Sequence, residues 1–143
     1  MDENIIRNVA LVSWVAGHFE GEGTVSIVRS GKRGYTRPIV TLTSTDRQVI
    51  DVIQDRWPGC VKTYQPKGNA RPAHRWTLNV RPAIARFLWD MMPLLKTERV
   101  RRKAELVLED IGARVQGARG EDYLAQCHER REQIRALNHR GVA

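Results

Sequence analysis

Acidic residues are missing from two long stretches of this chain. None occurs between Gly23 and Thr45, and none between Arg56 and Trp89. An ordinary solvated surface intersperses both signs, so these gaps exclude a charge-balanced exterior there and point to a field shaped for a polyanion. Cysteine is nearly as scarce. Cys60 and Cys127 stand alone, without CxxC or Cys/His spacing, which argues against a disulfide framework and a zinc site. Both are expected as buried free thiols in a reducing compartment. Long hydrophobic runs are absent too, so no segment reads as a membrane span. The opening Met1-Asp2-Glu3-Asn4 lacks a basic signal-peptide start. The expectation is an intracellular protein, cytoplasmic or nucleoid-associated, with no membrane partner. The basic stretches do not read as amphipathic helices, which places nucleic acid ahead of anionic lipid.

The chain of 143 residues is 41% hydrophobic, enough to bury the core of one domain covering 1–143. Its net charge of +8 is uneven: residues 23–99 hold 14 bases against 5 acids, whereas residues 1–22 hold one base against four acids. Val9, Val12, Val15, Ala16 and Phe19 recur at helical spacing and predict a first helix from about Ile5 to Gly21. Two alternating runs follow, Thr24–Arg29 and Pro38–Thr43, around a basic turn at Ser30–Arg37, and read as a hairpin. Thr45-x-x-Gln48 has the form of a capping box opening a helix that buries Val49, Ile50, Val52, Ile53 and Trp57 and stops at Pro58-Gly59. The order then repeats. Cys60–Tyr64 and His74–Val80 are strand candidates around a second basic loop, and Pro82 suits the first turn of a helix carrying Ile84, Phe87, Leu88, Met91 and Met92. Two more helices are expected at Glu98–Ala113 and Glu121–Asn138, with Gly112–Gly120 as a loop.

The alternation divides the strands between two faces. With helices covering one side, Val25, Ile27, Val40, Leu42, Val61, Trp76 and Leu78 point inward. Ser26, Thr41, Thr43, Lys62, Tyr64, Arg75 and Thr77 then share an open, polar, basic face. Lys32, Arg33 and Arg37 in one loop and Lys67 and Arg71 in the other flank it. A twisted antiparallel sheet of this kind can enter a major groove and read base edges, so these residues are the candidate DNA contacts.

The first helix carries a separate signal. Ser13, Gly17 and Gly21 lie four apart and form one smooth strip along which two helices can approach closely. Its natural partner is the same helix of a second copy across a two-fold axis. That pairing brings two Glu22 carboxylates together at the helix ends, where a divalent cation neutralises them and can polarise a phosphate. Glu20 and Glu22 also sit at a helix C-terminus, the end that disfavours negative charge. Two acids there point to a use other than stability.

Val15-Ala16-Gly17-His18-Phe19-Glu20-Gly21-Glu22-Gly23 resembles the LAGLIDADG motif of homing endonucleases, and the order of elements after it resembles that family's fold over at least about 5–111. The resemblance implies an α+β, αββαββα architecture with an antiparallel sheet, helices on one face and extra C-terminal helices at about 98–138. One motif per chain implies a homodimer that cuts double-stranded DNA with Mg2+ or Mn2+, as an agent of intron mobility. It implies Glu22 and the Gly21 carbonyl as metal ligands, and Glu20 as a residue of the helix junction. Asp46 falls where the family has a polar residue touching the water network, although it also suits the first turn of a helix beside Thr45. Lys96 is the implied base near the cleaved phosphate, with Arg99 and Lys103 as alternatives. His18 stands in place of an aliphatic residue and reads as a packing variation. The family also includes RNA-splicing maturases and cleavage-inactive DNA-binding proteins, which the same residues accommodate.

Overall fold

The computed structural model describes residues 2–31 and 34–138; Lys32 and Arg33 of the first basic loop lie outside them. Helix α1 (Glu3–Glu22) is followed by strands β1 (Gly23–Ser30) and β2 (Tyr35–Ser44), helix α2 (Arg47–Arg56), strands β3 (Cys60–Tyr64) and β4 (Ala73–Leu78), and helix α3 (Arg81–Met91). A 3-10 turn at Met92–Leu94 leads into α4 (Glu98–Val115) and α5 (Gly120–Asn138). The expected α+β order is therefore present.

Boundaries moved where capping or pairing outweighed local pattern. α1 begins earlier than expected because Asp2 caps it, accepting from the Asn4 N–H at 3.0 Å. The cap of α2 is Asp46, not Thr45: its Oδ1 accepts from the Gln48 N–H at 3.0 Å, while Ser44 Oγ accepts from the Asp46 N–H. The basic turn between β1 and β2 is shorter than expected, because Ser30 pairs with Tyr35 and Val28 with Arg37. Arg37 thus belongs to a strand. Gly112 did not end α4, which runs on to Val115 before the turn into α5.

The sheet is antiparallel throughout, in the order β1-β2-β4-β3, so the two hairpins join through β2 and β4. Val25, Ile27, Val40, Leu42, Trp76 and Leu78 are buried against the helices, as the alternation required. Phe87 of α3 centres the core, with the rings of Phe19, Trp57 and Trp76 at 5.1, 5.2 and 5.0 Å. The indole of Trp76 donates to the Trp57 carbonyl at 2.9 Å, and that of Trp57 to Asp90 at 2.8 Å, so neither buried N–H is orphaned. α4 adds Val100, Ala104, Leu106 and Val107 to the same core.

Two expectations about burial fail. Cys127 is buried but Cys60 is exposed, because β3 is an edge strand and its alternation turns Val61, not Cys60, inward. Val9 is 54% exposed, on a face of α1 that points away from the sheet. No helix among the described residues is long and apolar enough to cross a membrane.

Candidate nucleic-acid interface and active site

The open face follows from pairing register. One row crosses all four strands through Thr24, Thr41, Thr77 and Cys60, and the next runs through Thr43, Arg75 and Lys62. Ser26, Arg37 and Tyr64 share this face by alternation. Arg75 is held by its neighbours: Nε donates to Thr43 Oγ1 at 3.3 Å, and the guanidinium lies 4.9 Å from the Tyr64 ring centre. These contacts fix the Arg75 head before any ligand arrives, which lowers the entropy of ordering it on binding. No acidic residue occurs in any of the four strands. Lys67 and Arg71 are exposed in the loop between β3 and β4. Val28 and Ile39 interrupt the polar face, on the open side opposite Arg37 and Ser26.

On α1, Ser13, Gly17 and Gly21 are all exposed. A Cβ placed on Gly17 or Gly21 would meet nothing within 4 Å. Nothing inside this chain therefore uses their smallness. The surface they form continues toward the helix start as Ile6 and Val9, 50% and 54% exposed. Trp14 borders it, with its ring edge-on to His18 at 4.3 Å. His18 thus packs on an aromatic neighbour.

The end of α1 is fixed tightly. A Cβ on Gly23 would fall 2.6 Å from the Phe19 carbonyl oxygen and against the Phe19 ring, so only glycine permits the sharp passage into β1. This holds the last turn of α1 over three adjoining clefts, and Glu22 borders all three. One, of about 450 Å³, is the groove along Ser13, Gly17 and Gly21. Another, of about 600 Å³, is shared with Gly21, Arg99 and Lys103. The third, of about 420 Å³, is shared with Thr43 and Asp46. Glu22 is exposed and has no hydrogen bond or ion pair among the described residues. Glu20 is engaged instead. Its carboxylate accepts from the Lys96 N–H, and from the Thr97 N–H and Oγ1 at 3.0 Å each. Partial burial pushes the Glu20 carboxyl pKa up, but these hydrogen bonds outweigh it and leave the group below its ordinary value of 4.5. Glu20 thus pins the entry to α4, whose N-cap Thr97 makes no side-chain cap bond of its own.

Of the three candidate bases, Arg99 and Lys103 line the cleft with Glu22, whereas Lys96 is exposed beside Glu20 and does not line it. Lys103 is 5% exposed, and burial holds its ammonium below the ordinary lysine pKa. Its Nζ donates to Asn138 Oδ1 at 2.9 Å, and it has no ion pair among the described residues. Those residues also contain no group of three or more His, Cys, Asp or Glu placed to hold a metal ion.

The same arrangement of elements is found in solved structures. I-CvuI, in complex with the I-CreI target in the presence of 2 mM Mg with the DNA not cleaved, superposes with a TM-score of 0.76 at 15% identity, covering 96% of this chain and 87% of that one. Archaeal intron-encoded I-Vdi141I, complexed with DNA, gives 0.75 at 16% identity over 91% and 85%. I-GzeII, a LAGLIDADG homing endonuclease in complex with its DNA target, gives 0.64 at 13% identity over 88% of this chain but 43% of that one. This is the LAGLIDADG homing-endonuclease fold. Neither a protein-family model nor a curated protein matches the sequence.

Within the LAGLIDADG fold, the motif Val15–Gly23 spans the last turns of α1 and the passage into β1. The structure brings Gly21, Glu22, Asp46, Arg99 and Lys103 around that point. It adds Asn138, which lines the same cleft and holds Lys103, and the exposed apolar pair Ile6 and Val9. For Ile6 and Val9 the signal was available: Val9 lies four residues before Ser13 and Ile6 three before Val9, on the glycine strip's own helical face. For Asn138 no local signal exists, because its partner is 35 residues away.

Proposed function

We propose that this chain acts as a homodimeric, divalent-metal-dependent endonuclease that cuts both strands of a DNA duplex at a specific site. The observation that carries the reading is the position of Glu22. An unpartnered carboxylate stands where the glycine groove of α1, a cleft lined by Arg99 and Lys103, and the end of the sheet meet.

The donor set fits a hard cation. The Glu22 carboxylate and the Gly21 carbonyl, in the last turn of α1 where carbonyls lack intrahelical partners, are both oxygen donors. One chain supplies too few for a shell of six or more oxygens. A second copy docked along Ser13, Gly17 and Gly21 contributes its own Glu22, and phosphate oxygens of the substrate contribute the rest. Bound Mg2+ or Mn2+ would supply Lewis-acid polarisation of the phosphate and a more acidic water.

The chain's own residues do the remaining work. Arg99 and Lys103 face the same cleft as Glu22 and stabilise charge developing on the phosphate; Lys103 is the stronger candidate, because burial removes the water that would screen it. Lys96 acts through its backbone, as a positioning residue held by Glu20. Asp46 keeps one oxygen on the α2 cap and offers the other to water in the cleft shared with Glu22. The open face reads base edges through Arg75, Lys62 and the hydroxyls of Ser26, Thr41, Thr43 and Thr77. Arg37, Tyr64, Lys67 and Arg71, with Lys32 and Arg33, hold the backbone.

The test is cleavage of a plasmid carrying the genomic sequence joined across the gene's insertion point. Cutting is expected to require Mg2+ and to vanish in Glu22→Gln, with duplex binding retained. Cutting that survives in Glu22→Gln would refute the metal assignment. Duplex binding without cutting in the wild-type protein would identify a cleavage-inactive DNA-binding relative.

A further inference from the structure

A second basic feature adjoins the base-reading face at its edge and shares Arg37 with it. β2 pairs with β4 only from Val40 to Ser44, so Tyr35–Ile39 has β1 on one side and no strand on the other. Beside that free edge, a cleft of about 390 Å³ opens among the start of α3, the end of α4 and the start of α5. Arg37, Arg81 and Arg114 line it together with Tyr35 and Tyr123, and no acidic residue does. None of these arginines has an ion pair among the described residues. The buried acid one turn before Arg114, Asp110, does not line the cleft; its Oδ1 is engaged by Arg130 at 3.2 Å and by the Cys127 thiol at 3.0 Å, while its Oδ2 is buried without a partner.

Two of the guanidiniums, those of Arg81 and Arg114, are anchored without being neutralised. Arg81 donates to the Thr36 carbonyl at 3.4 Å, yet its Nε is buried with no partner. An unmet buried donor on a cation is costly unless a ligand completes it. Arg114 lies over the Tyr123 ring at 5.7 Å, a contact made possible by the left-handed Gly117 (φ 92°) that folds α5 back on α4. Burial first, then hydrogen bonding to Cys127 and the nearby Asp110 charge, push the Tyr123 phenol up to about 12. α3 starts at this cleft with Arg81 and has no side-chain cap. Three arginines without ion pairs among the described residues therefore line one cleft beside Ser30, Asn79 and Tyr123, with no acid among the lining residues.

We propose that this cleft binds a phosphate group through Arg37, Arg81 and Arg114, and, resting on the DNA-cleaving reading above, that the phosphate belongs to the backbone of the bound duplex at the edge of the sheet. The forked guanidinium geometry matches paired phosphate oxygens. A free inorganic phosphate has the same chemistry, and the experiment separates the two sources.

Affinity for a labelled duplex carrying the insertion-point sequence is measured against salt for the wild type, Arg114→Gln and Arg102→Gln. Losing one backbone contact lowers the slope of log affinity against log salt by about 0.9. Arg114→Gln should therefore lose about 3.5-fold less affinity than the wild type between 50 and 200 mM salt. Arg102, which pairs with Glu105 and Glu109 away from the cleft, should leave the slope unchanged. A wild-type slope in Arg114→Gln, on a duplex that the wild type binds, overturns the backbone assignment and leaves the nuclease reading standing. In the second arm inorganic phosphate is titrated into DNA-free protein while the amide resonances of Thr36, Arg81 and Tyr123 are followed. Saturable shifts that Arg114→Gln abolishes, with an unchanged duplex slope, assign the cleft to free phosphate. No saturable shift together with no slope change overturns the proposal. If the wild type binds no duplex, the nuclease reading fails and the phosphate arm alone decides the cleft.

Discussion

Replacing Gly17 and Gly21 together by alanine should push two properties in opposite directions. Both lie within α1, and a Cβ at either meets nothing within 4 Å in the isolated chain. Alanine exceeds glycine in a helix interior by about 1 kcal/mol. Gly21 is in the last turn, where the gain is smaller, so the separated protomer should gain roughly 1–2 kcal/mol in urea unfolding. The proposed dimer meets the same methyls across a two-fold axis, which makes four additions to one close contact. At the low end of overpacking, about 1 kcal/mol each, the interface loses about 4 kcal/mol. That corresponds to a dimer roughly a thousandfold weaker. Sedimentation equilibrium gives the dimer constant, and unfolding at concentrations where both proteins are monomeric gives the protomer stability. A stabilised protomer with an unchanged dimer constant would refute the assignment of this face. A destabilised protomer would refute the claim that the space beside these glycines is open within the chain.

Two further outcomes follow from the cleft beneath α1. Glu20→Gln should cost about 1 kcal/mol at neutral pH, the difference between charge-assisted and neutral hydrogen bonds to the entry of α4. Because the folded pKa of Glu20 is lowered, its charged-state contribution is fully present above the unfolded value near 4.5 and is lost as pH falls through the folded one. The urea midpoints of wild type and variant should accordingly converge below pH 4.5, and a gap that persists at lower pH counts against a role for the Glu20 charge. Lys103→Met keeps the bulk of the side chain while removing a buried charge, so stability at pH 7 should not fall, whereas cleavage should drop by about a hundredfold. The folded pKa of Lys103 is lowered, so the wild type alone should gain stability as pH climbs from that value toward 10.5. Undiminished cutting by Lys103→Met would remove it from the site.

Much of this was legible along the chain because the apolar spacing is regular. Val12, Val15, Ala16 and Phe19 marked the buried side of α1, and Val25, Ile27, Val40 and Leu42 marked the inner face of the first hairpin. What escaped was set by contacts rather than by pattern. Tyr35 and Arg37 read as loop because they flank glycines and a proline; pairing with Ser30 and Val28 makes them strand. Thr45 and Asp46 are both good caps, and local sequence does not rank neighbours one residue apart. The partners of Glu20 lie 76 and 77 residues further on. Among Lys96, Arg99 and Lys103 the choice depends on which side of α4 faces α1, a tertiary fact that helical spacing leaves open.

The length of β2 bears on the size of the target. Ten residues of extended chain reach about 33 Å, close to the rise of ten stacked base pairs at about 3.4 Å each. A protomer laid along a groove therefore spans about one helical turn, and a symmetric pair about twenty base pairs. In the proposed complex much of that contact would fall to hydroxyls of serine and threonine, which donate or accept with equal ease. A footprint that long, examined with groups that indifferent, tolerates substitution at many of its positions while its sheer extent still makes a chance occurrence rare.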